Sequence, residues 1–167
     1  MSDVAYVTAV VLAGLFAWAG VAKLLDREQT ARAFTALGLP APGLLSTAVP
    51  LVELALAVCL LAFPAPAALA ALGLLAAFTT ILVRAVRAGV DVGCRCFGSA
   101  RTEPVSSVEV LRNGLLGGAA TVASFATGPV VPQPSAVLLV GAAALAGAAA
   151  VAHADRRRRA SQVSGVE

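Results

Sequence analysis

Residues 54–83 read LALAVCLLAFPAPAALAALGLLAAFTTILV, a stretch without a single charged residue. It is too long for one helix, because about 20 residues suffice to cross the roughly 30 Å of hydrocarbon in a bilayer. Pro64 and Pro66 divide the stretch, since each proline lacks a backbone donor and favours a tight turn. The stretch therefore predicts two membrane-spanning helices, at about 44–63 and 67–86, joined by a short turn.

The composition of the whole chain supports this interpretation. Of its 167 residues 59% are hydrophobic and 13% are charged, and the mean hydropathy is +0.90. Soluble domains contain about 45–50% apolar and about 25% charged residues. Since the apolar residues also come in long blocks, we expect an all-α, polytopic membrane helical bundle and not a water-soluble core.

Three further spans complete the predicted bundle, at about 4–22, 106–127 and 135–152. Residues 113–154 carry no formal charge, and Gly128 and Pro129 break them near the middle. The total is about five transmembrane helices, with four as the alternative, and a short interfacial helix is expected at 31–37. The first span is too long for a signal peptide and lacks a positive region before it, so we expect it to be retained.

The basic residues predict the orientation, because short cytoplasmic loops keep Lys and Arg whereas translocated loops do not. They follow the first, third and fifth spans, and the other side of the bundle has none. We therefore expect the N-terminus outside, the C-terminus in the cytoplasm, and a multi-pass location in a bacterial inner membrane. The bundle is assigned to residues 1–152. The basic polar tail at 153–167 is expected to contact anionic membrane lipid and no nucleic acid.

The fourth and fifth spans are rich in glycine and alanine. Small residues allow helix backbones to approach closely where no hydrophobic force acts between helices. We therefore expect Gly114, Gly117 and Gly118 to form the packing face between these two spans.

Cys94 and Cys96 lie in a polar segment between the third and fourth spans. Residues two apart can form a disulfide, and the small ring makes such a bond more reducible than a structural bridge. Arg95 between them would favour the thiolate. A redox pair and two reduced loop thiols are both consistent with this pattern. A metal site is not expected, because zinc normally takes four ligands and the other candidates, Cys59 and His153, are far away along the chain.

Charged residues inside the spans form the second group of candidates. Glu53 lies about nine residues into the second span, or about 14 Å at helical rise, and so near the midplane. A carboxylate at that depth needs a partner or a proton. Lys23 at the end of the first span, and Arg112 beside Asn113 in the fourth, are the cations that could reach it. A structural polar clamp and a proton or substrate site both remain open.

Several short motifs occur in order along about 100 residues. They are FAWAGVAK at 16–23, Phe34, GLP at 38–40, PLVEL at 50–54, CRCFG at 94–98 and Arg112-Asn113. With these motifs the chain resembles the methylamine-utilisation MauE family, a branch of the DoxX-like membrane proteins. The resemblance implies a redox-associated membrane protein that helps to mature the methylamine dehydrogenase small subunit, an exported client rich in disulfides, beside a thioredoxin-like partner.

Two classes of function follow. In the first, Cys94 and Cys96 exchange thiols and disulfides with a partner protein, Arg95 tunes them, and the intramembrane charges hold the bundle. In the alternative, the chain is a non-catalytic membrane scaffold or a small-molecule carrier that uses Glu53 and Arg112 as its polar site. No cofactor is evident, and a bound quinone has no support in the sequence. The charge rule places the cysteine pair on the cytoplasmic side, whereas the implied client is outside.

The orientation can be tested with reporter fusions. Reporters at the C-terminus and within residues 23–32 should report the cytoplasm, and one in the turn at Pro64 should report the outside, because the basic residues retain their loops. A C-terminus outside the cell would contradict the five-helix arrangement.

Overall fold

A computed structural model describes residues 2–89, 107–126 and 134–163. The described residues form six helices and confirm the prediction of an all-α protein. In chain order these are α1 (Ser2–Leu25), α2 (Arg27–Ala36), α3 (Pro42–Ala62), α4 (Pro64–Arg87), α5 (Ser107–Ala123) and α6 (Pro134–Val163).

Four of the described helices, α1, α3, α4 and α6, are long and apolar enough to cross a membrane. Large apolar side chains on these helices point away from the protein, among them Val7, Val58, Leu69 and Leu138. Such exposure is costly in water and is expected where lipid surrounds a helix. The chain is therefore a multi-pass membrane protein.

The α5 helix is shorter, with 17 residues. Tight turns extend it, because the N–H groups of Phe125 and Ala126 donate to the carbonyls of Val122 and Ala123 at 3.2 and 3.1 Å. The segment from α5 to Ala126 thus approaches the roughly 20 residues that a crossing requires. A fifth crossing and the orientation of the bundle stay predictions.

The turn between α3 and α4 lies where the prolines predict it. The helix α3 ends at Ala62 and α4 begins at Pro64, so Phe63 is the single connecting residue. The Phe63 N–H donates to the Cys59 carbonyl at 2.7 Å. Pro64 costs no hydrogen bond at the first position of a helix, because the N–H there has no partner within the helix.

The short helix α2 begins at Arg27, earlier than the predicted range of 31–37. The reason is local, since Asp26 caps the helix by accepting a hydrogen bond from the Gln29 N–H at 3.4 Å. Phe34 is the buried residue of α2, and the helix packs against α3. The prediction of a short helix between the first two spans is confirmed, with an earlier start.

The centre of the described bundle is α1, which contacts each of the other five helices. Small residues follow one another at four-residue spacing along its buried face, at Ala5, Ala9, Ala13 and Ala17. Residues four apart lie on the same side of a helix. This ridge of small side chains allows several neighbours to approach α1 at once.

The closest approach is at Gly20, where α1 meets α3. A β-carbon at this position would lie 2.9 Å from the Pro50 carbonyl oxygen and 2.9 Å from Cγ of Leu54. The α6 helix also approaches α1 closely, at Gly147, where a β-carbon would lie 3.0 Å from the Trp18 carbonyl oxygen. At Gly20 a side chain would force the backbone of α3 to shift, and at Gly147 the neighbouring backbone of α1 would have to give by a few tenths of an ångström.

The expected packing face at Gly114, Gly117 and Gly118 is wrong. Within the described ranges, β-carbons at Gly114 and Gly118 would meet open space, and one at Gly117 would be at an ordinary 3.7 Å from Leu72. The described parts of α5 and α6 do not contact each other, since α5 packs on α4 and α1 while α6 packs on α1. Small residues do mediate close packing in this bundle, but at Gly20 and Gly147.

We expect Gly20→Ala to lower the free energy of unfolding in detergent by about 1–3 kcal/mol, because the added methyl group must displace backbone at the α1–α3 contact. Gly73→Ala in α4 is the matched control, since a β-carbon there meets nothing within 4 Å. Thermal or denaturant unfolding followed by circular dichroism measures both. Equal stabilities of the two variants would show that the α1–α3 contact is not close.

Candidate functional site

The intramembrane residues Lys23 and Glu53 form a buried ion pair. Nζ of Lys23 donates to Oε1 of Glu53. Each residue is 5% exposed, although the two lie on different helices, α1 and α3. Burying one charge alone inside a membrane is costly, so each residue compensates the other.

The sequence around each residue positions the pair. Gly20 lies almost one turn before Lys23, and Pro50 lies almost one turn before Glu53. The close contact between Gly20 and the Pro50 carbonyl therefore holds α1 and α3 together next to the two charges. A larger residue at position 20 would move the ammonium group away from the carboxylate.

An aromatic ring also lies near the ammonium group of Lys23. Nζ of Lys23 lies 5.9 Å from the centroid of the Phe78 ring on α4, a distance typical of cation–π contacts. The ring of Phe34 on α2 lies 6.4 Å from that of Phe78. Phe78 was not among the residues singled out from the sequence. The available signal was that it is the only aromatic residue of α4.

Arg112 and Asn113 on α5 complete a polar cleft, which we define by these two residues together with Lys23 and Glu53. The cleft lies between α1, α3, α4 and α5 and holds a cavity of about 40 Å³. Asn113 is buried and Arg112 is half-buried. The structure thus brings together the four intramembrane polar residues that the sequence analysis singled out. The other lining residues that the structure describes are apolar and include Leu12, Phe16, Leu75, Leu82 and Leu116.

One oxygen of Glu53 is not used by the ion pair. Oε2 is buried and has no hydrogen-bond partner among the residues that the structure describes. An acceptor buried in this way loses the hydrogen bonds that it would make with water. A ligand in the cleft could therefore donate a hydrogen bond to Oε2 of Glu53. The ammonium group of Lys23, the guanidinium group of Arg112 and the amide of Asn113 line the same cleft.

The three residues of the cysteine motif, Cys94, Arg95 and Cys96, lie outside the described residues. Their segment joins α4 to α5, and both helices line the cleft, through Leu82 and Arg112. Each of these two residues lies about 8 Å, at helical rise, from the helix end that leads into the segment. The described helix ends on either side of the segment in sequence thus lie near the polar cleft.

The remaining titratable candidates do not join the cleft. Cys59 is exposed on α3, and His153 is exposed on α6. Across the parts of the chain that are described, no three His, Cys, Asp or Glu side chains converge in a way that could hold a metal ion.

We expect Lys23→Met and Glu53→Gln each to lower the free energy of unfolding by about 3–5 kcal/mol, because each leaves a buried group without its partner. The double variant should lose less than the sum of the two. Folded yield and denaturant unfolding in detergent provide the measurement.

The control for this experiment is the exposed pair of Glu28 and Arg32 on α2. Neutralising it should cost no more than about 0.5 kcal/mol, since exposed ion pairs contribute little. Strictly additive losses for Lys23 and Glu53 would show that the two do not stabilise each other.

Comparison with known proteins gives a consistent result. The family model described as methylamine utilisation protein MauE matches residues 1–126, which include every residue of the cleft. The methylamine utilization protein MauE of Paracoccus denitrificans is 35% identical over 146 residues, which are 84% of this chain and 77% of that relative. No solved structure matches the chain. The resemblance of the sequence motifs is thereby confirmed, and the chain belongs to the MauE family of methylamine utilisation proteins.

Proposed function

We propose that this chain is a redox-associated protein of the bacterial inner membrane that supports thiol–disulfide exchange during maturation of a partner protein. The observation that carries the proposal is Cys94-Arg95-Cys96 on the segment that joins the two helices α4 and α5. Membership of the MauE family supports it. The client implied by the resemblance is the methylamine dehydrogenase small subunit, and a thioredoxin-like protein is the expected redox partner.

The proposed chemistry is a two-electron exchange. A thiolate of the pair attacks a disulfide sulfur of the partner, and a mixed disulfide forms as one partner thiolate leaves. The second cysteine then attacks the mixed disulfide and releases the other partner thiolate. Cys94 and Cys96 end as a disulfide and the partner ends with two thiols; the reverse reaction delivers a disulfide to a client.

The polar cleft has a supporting role in this proposal. The ion pair of Lys23 and Glu53 ties α1 to α3, and the Phe78 ring beside Lys23 adds α4. Arg112 and Asn113 belong to α5, so the cleft joins the helix before the cysteine segment to the helix after it. A firm junction at this place holds α4 and α5 in a fixed relation to each other.

A scaffold or small-molecule carrier is the alternative, and the cleft itself favours the carrier. It is a cavity with charged groups inside a membrane bundle, and no cysteine is among the lining residues that the structure describes. Carriers also place polar binding groups within the membrane. The two functions differ in whether the thiols react.

We expect Cys94 and Cys96 to titrate together in graded thiol redox buffers, with a two-electron slope and at a potential less reducing than about −300 mV, because reducible bridges lie above the range of structural ones. Alkylation followed by mass spectrometry measures the fraction of each thiol. Cys59, which is exposed on α3, is the internal control and should not follow this transition.

The single variants Cys94→Ser and Cys96→Ser extend the same test. Each leaves one thiol that should trap a mixed disulfide with a partner. The variant that lacks both Cys94 and Cys96, and the same variant with Cys59→Ser added, should trap none. A membrane-impermeant maleimide applied to intact cells and to inverted vesicles then shows on which side the pair reacts. Independent labelling of the two thiols at every redox poise, with no trapped partner, would remove the redox proposal in favour of the carrier.

A further inference from the structure

We propose that the polar cleft binds an uncharged, lipid-soluble molecule that carries a hydroxyl group, of the alcohol or phenol class. Its hydroxyl group donates to the carboxylate of Glu53, and its carbon skeleton lies among the apolar side chains of the cleft. This site does not depend on the cysteine pair, and so it stands apart from the proposed thiol–disulfide exchange.

The first argument is the unused acceptor. Glu53 is 5% exposed, and its Oε2 atom has no hydrogen-bond partner within the described part of the protein. Lys23 already donates to the other oxygen, Oε1. A ligand that brings an O–H group to Glu53 would satisfy Oε2 without breaking the ion pair, and hydrogen bonds to charged groups are among the stronger ones.

The second argument is charge, which favours a neutral ligand over an ionic one beside Glu53. A cation that approached Glu53 would meet the positive charges of Lys23 and Arg112, which line the same cleft. An anion could be drawn by these two cations, but the carboxylate of Glu53 would repel it, and an anion without an O–H or N–H group could not donate to Oε2. A neutral hydroxyl group avoids both repulsions. It can also accept a hydrogen bond from the amide of Asn113, which faces the same space.

The third argument is the shape and lining of the cleft. The cleft holds a cavity of about 40 Å³, which exceeds the roughly 10–15 Å³ that a water molecule needs and so leaves room for a hydroxyl group. The polar groups occupy one part of the lining, and leucine and phenylalanine side chains from α1, α4 and α5 form the rest, including Phe16, Leu75 and Leu116. A cleft with this division fits a molecule with one polar end and an apolar body. Such a molecule partitions into the bilayer that surrounds the helices.

The deciding experiment compares two ligands that differ only in the donor. The full chain in lipid nanodiscs is titrated with para-octylphenol and, separately, with its methyl ether para-octylanisole, and binding is followed by equilibrium dialysis against empty nanodiscs. We expect saturable binding of the phenol and about tenfold weaker binding of the ether, which keeps the shape but cannot donate a hydrogen bond. Equal binding of both ligands, or no saturable binding above that of empty nanodiscs, would overturn the proposal.

Two variants locate the site. Leu116→Trp should abolish saturable binding of the phenol, because Leu116 lines the cleft and the larger side chain fills it. Leu115→Trp is the matched control, because the Leu115 side chain is next to Leu116 in sequence but is 68% exposed and lies outside the cleft. Glu53→Gln should reduce the preference for the phenol over the ether. If Glu53→Gln fails to fold, the ligand pair on the unchanged protein still decides, and equal effects of the two tryptophan variants would place binding elsewhere and overturn the proposal.

Discussion

The ion pair between Lys23 and Glu53 is the interaction on which the rest of the structure depends. A carboxylate in the middle of an apolar helix is tolerated only if a partner reaches it at the same depth. The partner is on another helix, so the two helices must approach closely beside the charges. Gly20 permits this approach, and the small residues of α1 extend it along the helix. The need of Glu53 for a partner on α1 thus helps to explain why α1 lies at the centre of the described bundle.

The same pair also shapes the space next to it. Lys23 extends from α1 toward α3 and the Phe78 ring, and α5 adds Arg112 and Asn113 at the same level. If only apolar side chains packed around these polar groups, their buried charges and hydrogen-bonding atoms would have no partners. A cleft with polar groups in one part and carbon side chains in the rest is the result. Both the proposed redox role and the proposed ligand use this arrangement, one as a support and the other as a binding site.

Features that depend on local backbone chemistry could be predicted from the sequence. The turn at Pro64 follows from the prolines, and the short helix before α3 was expected, although the cap at Asp26 starts it earlier. The gathering of Lys23, Glu53, Arg112 and Asn113 in one cleft could be predicted, because a charged side chain inside a membrane needs an oppositely charged or polar partner. The sequence does not predict which cation pairs with Glu53, because Lys23 and Arg112 both lie at a suitable depth. The rotation of each helix about its axis determines which of the two reaches the carboxylate. The same rotation decides which glycines face a neighbour, and for that reason Gly114 and Gly118 were misassigned.

The contact between Gly147 and Trp18 has a consequence for the biogenesis of the protein. The α1 helix leaves the ribosome well before α6, so the side of α1 around Trp18 cannot meet this partner until α6 has been made. At roughly 5–20 residues per second, this interval lasts on the order of ten seconds. During that time lipid or the insertion machinery must cover this side, while the side bearing Gly20 can already dock on α3. Assembly would then proceed in two stages, with the charged half of the bundle closed before its outer apolar layer.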